Sequence, residues 1–114
     1  MKSLVNFINE ASVAKKTMKL EEFIEWWFRG TVDDFIKDIE ETIKDDREEE
    51  LSWIVTDATG KDVDPEDMIT LVKSNLKTKI KVEFGPGNKL AEYEAHFDIN
   101  GIHFEVWCMT MYPY

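Results

Sequence analysis

The sequence has little cysteine, no long apolar run and no glycine-rich phosphate loop, and each absence excludes a class of protein. Cys108 is the one cysteine among 114 residues, so no disulfide can form within the chain, and we expect either a reducing compartment such as the cytoplasm or a fold that does not rely on oxidation. No apolar run approaches the length of a membrane span, and the N-terminus lacks the continuous apolar segment of a signal peptide. The glycines of Gly85-Pro86-Gly87 do not lead into a helix, as those of a phosphate loop do. We therefore expect no cofactor and no membrane contact.

Apolar and acidic residues, by contrast, are plentiful. Apolar residues make up 43% of the chain and aromatic residues 12%, which suffices for one self-supporting core. The net charge of −10 argues against nucleic acid or an anionic membrane as the direct ligand. Residues 19–67 hold 18 acidic against 6 basic side chains, whereas residues 68–90 hold five lysines against one glutamate. We expect an acidic helical part, a small basic shoulder and a partner protein with a basic surface.

The N-terminal half of the chain is patterned as helices. Apolar residues recur at helical spacing in two stripes, over residues 20–28 and residues 32–43. Gly30 is placed to end the first helix and Thr31 to cap the second, which predicts a helical hairpin. Residues 64–67, with the sequence Asp-Pro-Glu-Asp, predict the start of a further helix, because proline suits the first helical position and acids suit the first turn.

Other segments of this half leave alternatives open. Residues 3–10 have a short amphipathic helical pattern, and residues 11–19 suggest a linker or a frayed helix. The charge run at residues 45–50 continues the second helix or begins another. Residues 51–58 keep helical spacing, although residues 53–56 would equally suit a short strand; we favour the helix.

After Thr78 the apolar period changes from 3.6 to 2, which indicates strands. Asn100-Gly101 predicts a two-residue hairpin turn, and counting outward from it gives the register of two strands. The apolar face of this hairpin pairs Ile99 with Ile102, Phe97 with Phe104, Ala95 with Val106, and Tyr93 with Cys108. The opposite face pairs Asp98 with His103, His96 with Glu105, and Glu94 with Trp107.

Together the elements predict an α+β fold. A helical N-terminal part of three to five helices packs on a C-terminal three-stranded antiparallel meander. Residues 11–114 are expected to form a single domain, with residues 1–10 as a separate short helix.

The polar face of the hairpin has side chains of metal-ligand type: His96, Asp98, His103 and Glu105. Pairing of each histidine with a carboxylate across the strands explains these residues without an ion, and we favour that interpretation. Cys108 faces the other way, so neither histidine can activate it as a nucleophile. We therefore predict no metal site and no catalytic residue, and a small metal-binding enzyme is the least favoured function.

Two surfaces are candidates for binding a partner. The first is the acidic helix, and the residues that we single out on it are Asp38, Glu41, Asp45, Glu48 and Glu49. Such a helix can imitate the phosphates of nucleic acid and occupy the basic groove of a nuclease or another DNA-binding protein. The alternative is a solvated helix face.

The second candidate surface is apolar and consists of Trp26, Trp107, Met109 and Met111. Trp26 lies off the apolar stripe of its helix, and the other three make the last strand apolar on both faces. A bare apolar edge strand promotes aggregation, so a helix of the same chain or a partner must cover it.

The first eleven residues, Met-Lys-Ser-Leu-Val-Asn-Phe-Ile-Asn-Glu-Ala, resemble the capsid-targeting segment of the internal head proteins of T-even-type tailed phages. In that family a Met-Lys start leads to an aromatic residue and then Ile-x-Glu-Ala. The resemblance implies targeting to the assembling prohead and cleavage by the maturation protease between Glu10 and Ala11. It also implies a protein that is packaged in the virion interior, delivered with the genome, and active early in the host cytoplasm.

These observations support three hypotheses. The first is a phage accessory protein that binds and inhibits a host defence protein or a nucleic-acid-handling protein through its acidic surface. The second is a structural virion protein or a homo-oligomeric interaction protein. The third is the small metal enzyme that uses His96 and His103.

Overall fold

The computed structural model describes residues 14–86 and 93–108. Within these ranges the chain forms five strands, three α-helices and one short 3-10 helix. In chain order they are β1 (Ala14–Lys19), α1 (Leu20–Phe28), α2 (Val32–Lys44), the 3-10 helix (Glu48–Glu50), β2 (Trp53–Thr56), α3 (Pro65–Ser74), β3 (Lys79–Pro86), β4 (Tyr93–Ile99) and β5 (Ile102–Cys108).

All five strands belong to one antiparallel sheet with the order β1-β3-β4-β5-β2. The predicted three-stranded meander is therefore wrong: β3, β4 and β5 do follow one another, but β1 and β2 extend the sheet at its two sides. The fold remains a mixture of helices and strands, and the described residues contain three α-helices. Residues 1–13, which include the expected N-terminal helix, lie outside the described ranges.

Both added strands lack a clear strand pattern in the sequence. β1 lies where a linker or a frayed helix was expected, and its sequence, Ala-Lys-Lys-Thr-Met-Lys, has too few apolar residues to alternate. It is held by backbone pairing with β3, and its lysines suit an edge strand because charge discourages further pairing. β2 corrects the helix that we favoured for residues 51–58, since Trp53 pairs with Val106 and Val55 with Phe104.

The β4–β5 hairpin confirms the predicted register over its full length, from the Ile99–Ile102 pair at the turn to the Tyr93–Cys108 pair. Asn100 and Gly101 both have positive φ, at 50° and 81°, as a type I′ turn requires. Alternate residues therefore point to opposite faces, and the apolar set of each strand is buried.

The helical signals are confirmed at α1 and α2. α1 is capped at its C-terminus by Arg29, which has φ 63° and whose N–H donates to the Glu25 carbonyl, so the residue before Gly30 takes the left-handed conformation. The Thr31 hydroxyl caps α2 by accepting the Asp34 N–H at 3.1 Å. α3 begins at Pro65 as predicted, although the Asp64 side chain makes no capping hydrogen bond.

The core lies between the helices and one face of the sheet. Buried residues from α1, α2 and α3 meet the alternate apolar residues of the strands. Aromatic rings occupy its centre: Phe97 stacks on Phe104 with ring centroids 4.9 Å apart, and Trp53 lies 5.0 Å from Phe35. The opposite face, which we call the open face, carries no described helix and displays polar side chains.

Candidate functional site

The open face of β4 and β5 brings together two histidines and two carboxylates in one line of hydrogen bonds. Asp98 Oδ1 lies 2.8 Å from His103 Nδ1, and His103 Nε2 lies 3.1 Å from His96 Nδ1. The other nitrogen of that ring, His96 Nε2, lies 3.1 Å from Glu94 Oε2. The two imidazole rings stack with centroids 5.3 Å apart and planes 26° apart. The three hydrogen bonds join Asp98, His103, His96 and Glu94 into one continuous chain, which we call the relay.

The hairpin explains why these side chains meet. Glu94, His96 and Asp98 are alternate residues of β4, and His103 lies on the same face of β5 because it pairs with Asp98. The side chains are only partly withdrawn from solvent, from 16% exposed for Glu94 to 70% for Asp98. A rigid two-stranded ladder thus fixes the backbone, while solvent still reaches the polar groups.

Both predicted cross-strand pairs of a histidine and a carboxylate are present in the sheet, but only one of them is a hydrogen bond. His103 bonds to Asp98, its cross-strand partner, as expected. His96 lies opposite Glu105 in the sheet but bonds to Glu94 and to the other imidazole instead. The signal for Glu94 was present, because the predicted register places it on the same face as His96.

Glu105 has its own partner and remains close to this relay. Trp107 Nε1 donates to Glu105 Oε2 at 3.0 Å. One ligand atom from each of Glu94, His96 and Glu105 lies within 4.8 Å of the others. We call these three residues the ligand cluster, since imidazole and carboxylate are the types that hold divalent transition metals.

The acidic residues predicted to bind a partner lie together on α2 and the segment after it. Asp38, Glu41 and Asp45 are exposed, as is Glu49, and Glu48 is half-buried. We call these five residues the acidic surface. Asp38 and Glu41 project from α2, and the other three follow its last turn.

Arg47 neutralises only a small part of this charge. Its guanidinium lies 3.3 Å from Asp45 and 2.8 Å from Glu50, and these carboxylates, Glu50 first, raise the pKa of Arg47. Within the described residues, Asp38, Glu41, Glu48 and Glu49 make no ion pair. The acidic surface therefore displays carboxylates that a partner can reach.

The basic shoulder lies at the side of the sheet formed by β1 and β3, whereas β2 lies at the other side. Lys79 and Lys81 are exposed on β3, next to the lysines of β1. Lys77 bonds to Glu21 at 2.7 Å, and this hydrogen bond, followed by the attraction between the charges, raises the pKa of Lys77.

The structure separates the two tryptophans of the predicted apolar surface. Trp26 is half-buried and packs on the core face, with its ring 5.8 Å from Phe23 and 5.9 Å from Phe84. Trp107 is half-buried on the open face, where it bonds to Glu105. Met109 and Met111 lie outside the described residues. Trp26 and Trp107 thus do not share one surface.

The last strand is also not an edge strand, contrary to expectation. β5 lies between β4 and β2, and the Trp107 N–H donates to the Ser52 carbonyl at 3.0 Å. The Trp27 indole donates to the Trp107 carbonyl at 3.1 Å. The backbone near the end of β5 is therefore covered within the chain.

Cys108 has the buried position that the register predicts. It is 2% exposed, and burial raises the pKa of its thiol to about 12. A thiol of this kind stays protonated near neutral pH and is a poor nucleophile.

None of the helices in the described part of the chain has the length and apolar character needed to cross a membrane. Comparison of the chain with protein-family models, with curated proteins and with solved structures found no match.

Proposed function

We propose that this chain is a phage accessory protein that binds and inhibits a host defence protein or a nucleic-acid-handling protein. The observation that carries the proposal is the acidic surface, whose carboxylates are largely unpaired within the described residues. A partner with a basic groove complements such a surface, because opposite potentials steer and hold the two proteins.

The position of the charges supports a binding role over a stabilising one. Five carboxylates lie just after the C-terminus of α2, where the helix dipole is negative and further negative charge is unfavourable. Arg47 is the one basic residue among them. A charge pattern that costs stability at this helix end is better explained by a ligand that it attracts.

Negative charge is concentrated on α2 and on the segment that follows it. Residues 32–50 hold ten carboxylates against three basic side chains, a balance of −7. α2 itself accounts for −3 of this balance, from five carboxylates and two lysines, and its 13 residues make it about 20 Å long. One strand of duplex DNA presents roughly six phosphates over the same axial length. The five carboxylates of α2 therefore come close in number to the phosphates that a groove for one DNA strand would meet, and residues 45–50 add a further −4.

Affinity capture from a lysate of the bacterial host tests the proposal. We expect the wild-type chain to retain a small set of nucleic-acid-binding or defence proteins, and the retention to weaken as salt increases. A variant with four changes in the acidic surface (D38N, E41Q, E48Q and E49Q) should retain these proteins at least tenfold less well.

A matched control removes the same four charges elsewhere, through E25Q, D62N, E66Q and D67N. These carboxylates are exposed and lie outside the acidic surface. The control should capture like the wild type. Equal loss in both variants would show that overall charge, and not this surface, governs binding, and capture of no such protein by the wild type would contradict the proposal.

The proposed delivery has its own test. A protein that is packaged and processed should be present in purified virions as a form that begins at Ala11. Mass spectrometry of virion proteins measures this N-terminus directly. Absence of the chain from virions, or only a form that retains residues 1–10, would contradict packaging with cleavage and would leave the proposal of partner binding to the capture experiment.

A structural role in the virion is the alternative, and Trp107 favours it. Its ring is half-buried on the open face, and tryptophan is enriched at the centres of protein interfaces. Solution mass separates the two functions: a stable homo-oligomer in which Trp107 fluorescence is shielded supports the structural role, and a monomer supports the inhibitor.

A further inference from the structure

We propose that the open face of the β4–β5 hairpin binds a divalent transition-metal ion such as Zn²⁺ through the ligand cluster Glu94, His96 and Glu105. This site is separate from the acidic surface, and the proposal does not depend on the partner-binding function. It also differs from the metal site considered from the sequence, because Glu94 replaces Asp98 and one histidine, not two, acts as a ligand.

The spacing of the donor atoms in the ligand cluster is suited to one metal ion. One donor atom from each residue lies within 4.8 Å of the others. Glu94 and His96 are alternate residues of β4, and Glu105 pairs with His96 across the ladder. Metal–ligand bonds to imidazole and carboxylate are about 2.0–2.2 Å long, so the side chains need to close by only about an ångström to share one ion.

Two of the three ligands, Glu105 and His96, already have a supporting hydrogen bond. Trp107 Nε1 donates to Glu105 Oε2 at 3.0 Å, which orients that carboxylate. His96 Nδ1 lies 3.1 Å from His103 Nε2, and His103 Nδ1 lies 2.8 Å from Asp98. Metal-binding histidines almost always use their second ring nitrogen in this way, and such contacts fix the tautomer and the orientation of the ring.

The number of N–H donors available to the relay also fits an ion at His96 Nε2. Ionised carboxylates only accept, so the three contacts of the relay require three N–H donors from two imidazoles. Two neutral imidazoles supply two. With a metal ion between His96 Nε2 and Glu94, the two remaining contacts use both N–H donors, and each neutral ring is fully satisfied. A third proton on the relay is the competing arrangement.

The surrounding charges favour a cation. Charged side chains that face this part of the sheet are the carboxylates Glu83, Glu94, Asp98 and Glu105 and the lysines Lys15 and Lys81. Glu83 and Lys15 bond to each other at 3.3 Å, so the carboxylates exceed the lysines around the ligand cluster. The local field therefore attracts a positive ion.

The donor set also indicates the kind of metal. One imidazole with two carboxylates suits Zn²⁺ and its neighbours in the first transition row, whereas Mg²⁺ and Ca²⁺ prefer oxygen ligands throughout. Three protein ligands leave a coordination position for water or another small ligand. Partial exposure of His96, at 31%, leaves room for that position on the solvent side.

Titration of the full chain with ZnCl₂, followed by calorimetry and by ¹H–¹⁵N spectra of the histidine rings, tests the site. We expect saturable binding of one ion and no comparable response to MgCl₂. The nitrogen shifts should show the metal on His96 Nε2 and a proton on Nδ1 of each ring. Thermal unfolding should shift to a higher temperature with Zn²⁺, since binding to the native state stabilises it.

Variants separate the ligand cluster from adventitious binding. E94Q, H96Q and E105Q should each weaken Zn²⁺ binding by at least tenfold, and D98N, which alters only the support of His103, should weaken it less than any of these three. E66Q on α3 and C108S in the core should bind within about threefold of wild type. E94Q and E105Q preserve side-chain shape, so they test the site even if H96Q fails to fold.

Two results would overturn the proposal. One is the absence of saturable Zn²⁺ binding, which would leave a relay held by a third proton. The other is binding that E94Q and E105Q leave unchanged, which would place the ion elsewhere.

Discussion

At the scale of single residues, burial and hydrogen bonding decide which groups are reactive. Cys108 and His103 are on the same strand, but Cys108 is enclosed by the core and His103 faces solvent. Successive side chains of a strand point to opposite faces of the sheet, and this alone places Cys108 and His103 on different faces. The two histidine side chains are therefore accessible on the open face, whereas the thiol contributes packing.

The thiol allows a direct check of this contrast. Because burial raises the pKa of Cys108 to about 12, the thiolate fraction at pH 8 is about a thousandfold lower than for an ordinary cysteine. Native protein should therefore react with iodoacetamide on the order of a thousandfold more slowly than protein unfolded in guanidinium. Equal rates in the two states would show that Cys108 is accessible and that the apolar face of β5 is misplaced.

Gly101 is the residue on which the register of the open face depends. Its φ of 81° is strained for any residue with a Cβ, so we expect G101A to lower the free energy of unfolding by about 1–2 kcal/mol. G85A is the matched control, because its Cβ meets no atom within 4 Å and its backbone does not need positive φ. Denaturant unfolding measures both. A G101A protein as stable as G85A would contradict the type I′ turn.

At the scale of elements, strong local sequence signals were sufficient to predict a strand or turn, whereas weak ones were overridden by pairing with neighbouring strands. The hairpin was predictable because turn chemistry and apolar alternation agreed. β2 was not, because four residues with an apolar face suit either a strand or a helix until a neighbouring strand is available. β1 gave no signal, since backbone pairing with β3 does not require apolar side chains.

The turn after β2 shows a hydrogen-bond pattern that pH can test. Asp57 Oδ1 accepts from the Thr59 hydroxyl at 2.6 Å and from the N–H groups of Thr59 and Lys61 at 2.8 and 3.1 Å. These bonds, the hydroxyl first, hold the pKa of Asp57 below its usual value. A lowered pKa in the folded state stabilises the protein above the unfolded pKa, near 4, and this stabilisation is lost as pH falls through the folded value.

We therefore expect the stability of the wild type to decrease more steeply below about pH 4 than that of D57N, which has no charge to lose. Unfolding midpoints in urea across this pH range measure the difference. D62N is the control, because Asp62 is exposed in the same turn and its carboxylate accepts no hydrogen bond from the described residues. If D57N and D62N change the pH dependence equally, the bonds to Asp57 are not its cause.

At the scale of the whole molecule, charge is distributed by element. The acidic surface follows α2, the basic shoulder lies along β1 and β3, and the open face carries the ligand cluster on β4 and β5. Composition predicted the first two, because they depend on residue types within a segment. The ligand cluster depends on which side chains the sheet places together, so sequence spacing identified the face and its cross-strand pairs but not the hydrogen bond between His96 and Glu94.

We propose that the acidic surface occupies a basic groove that otherwise holds nucleic acid. The most direct measurement is competition between this protein and duplex DNA for a purified captured partner, at fixed salt. We predict mutual exclusion: added DNA displaces the wild-type protein, and the apparent affinity falls in proportion to the DNA present. A ternary complex that contains partner, DNA and this protein together would contradict the claim.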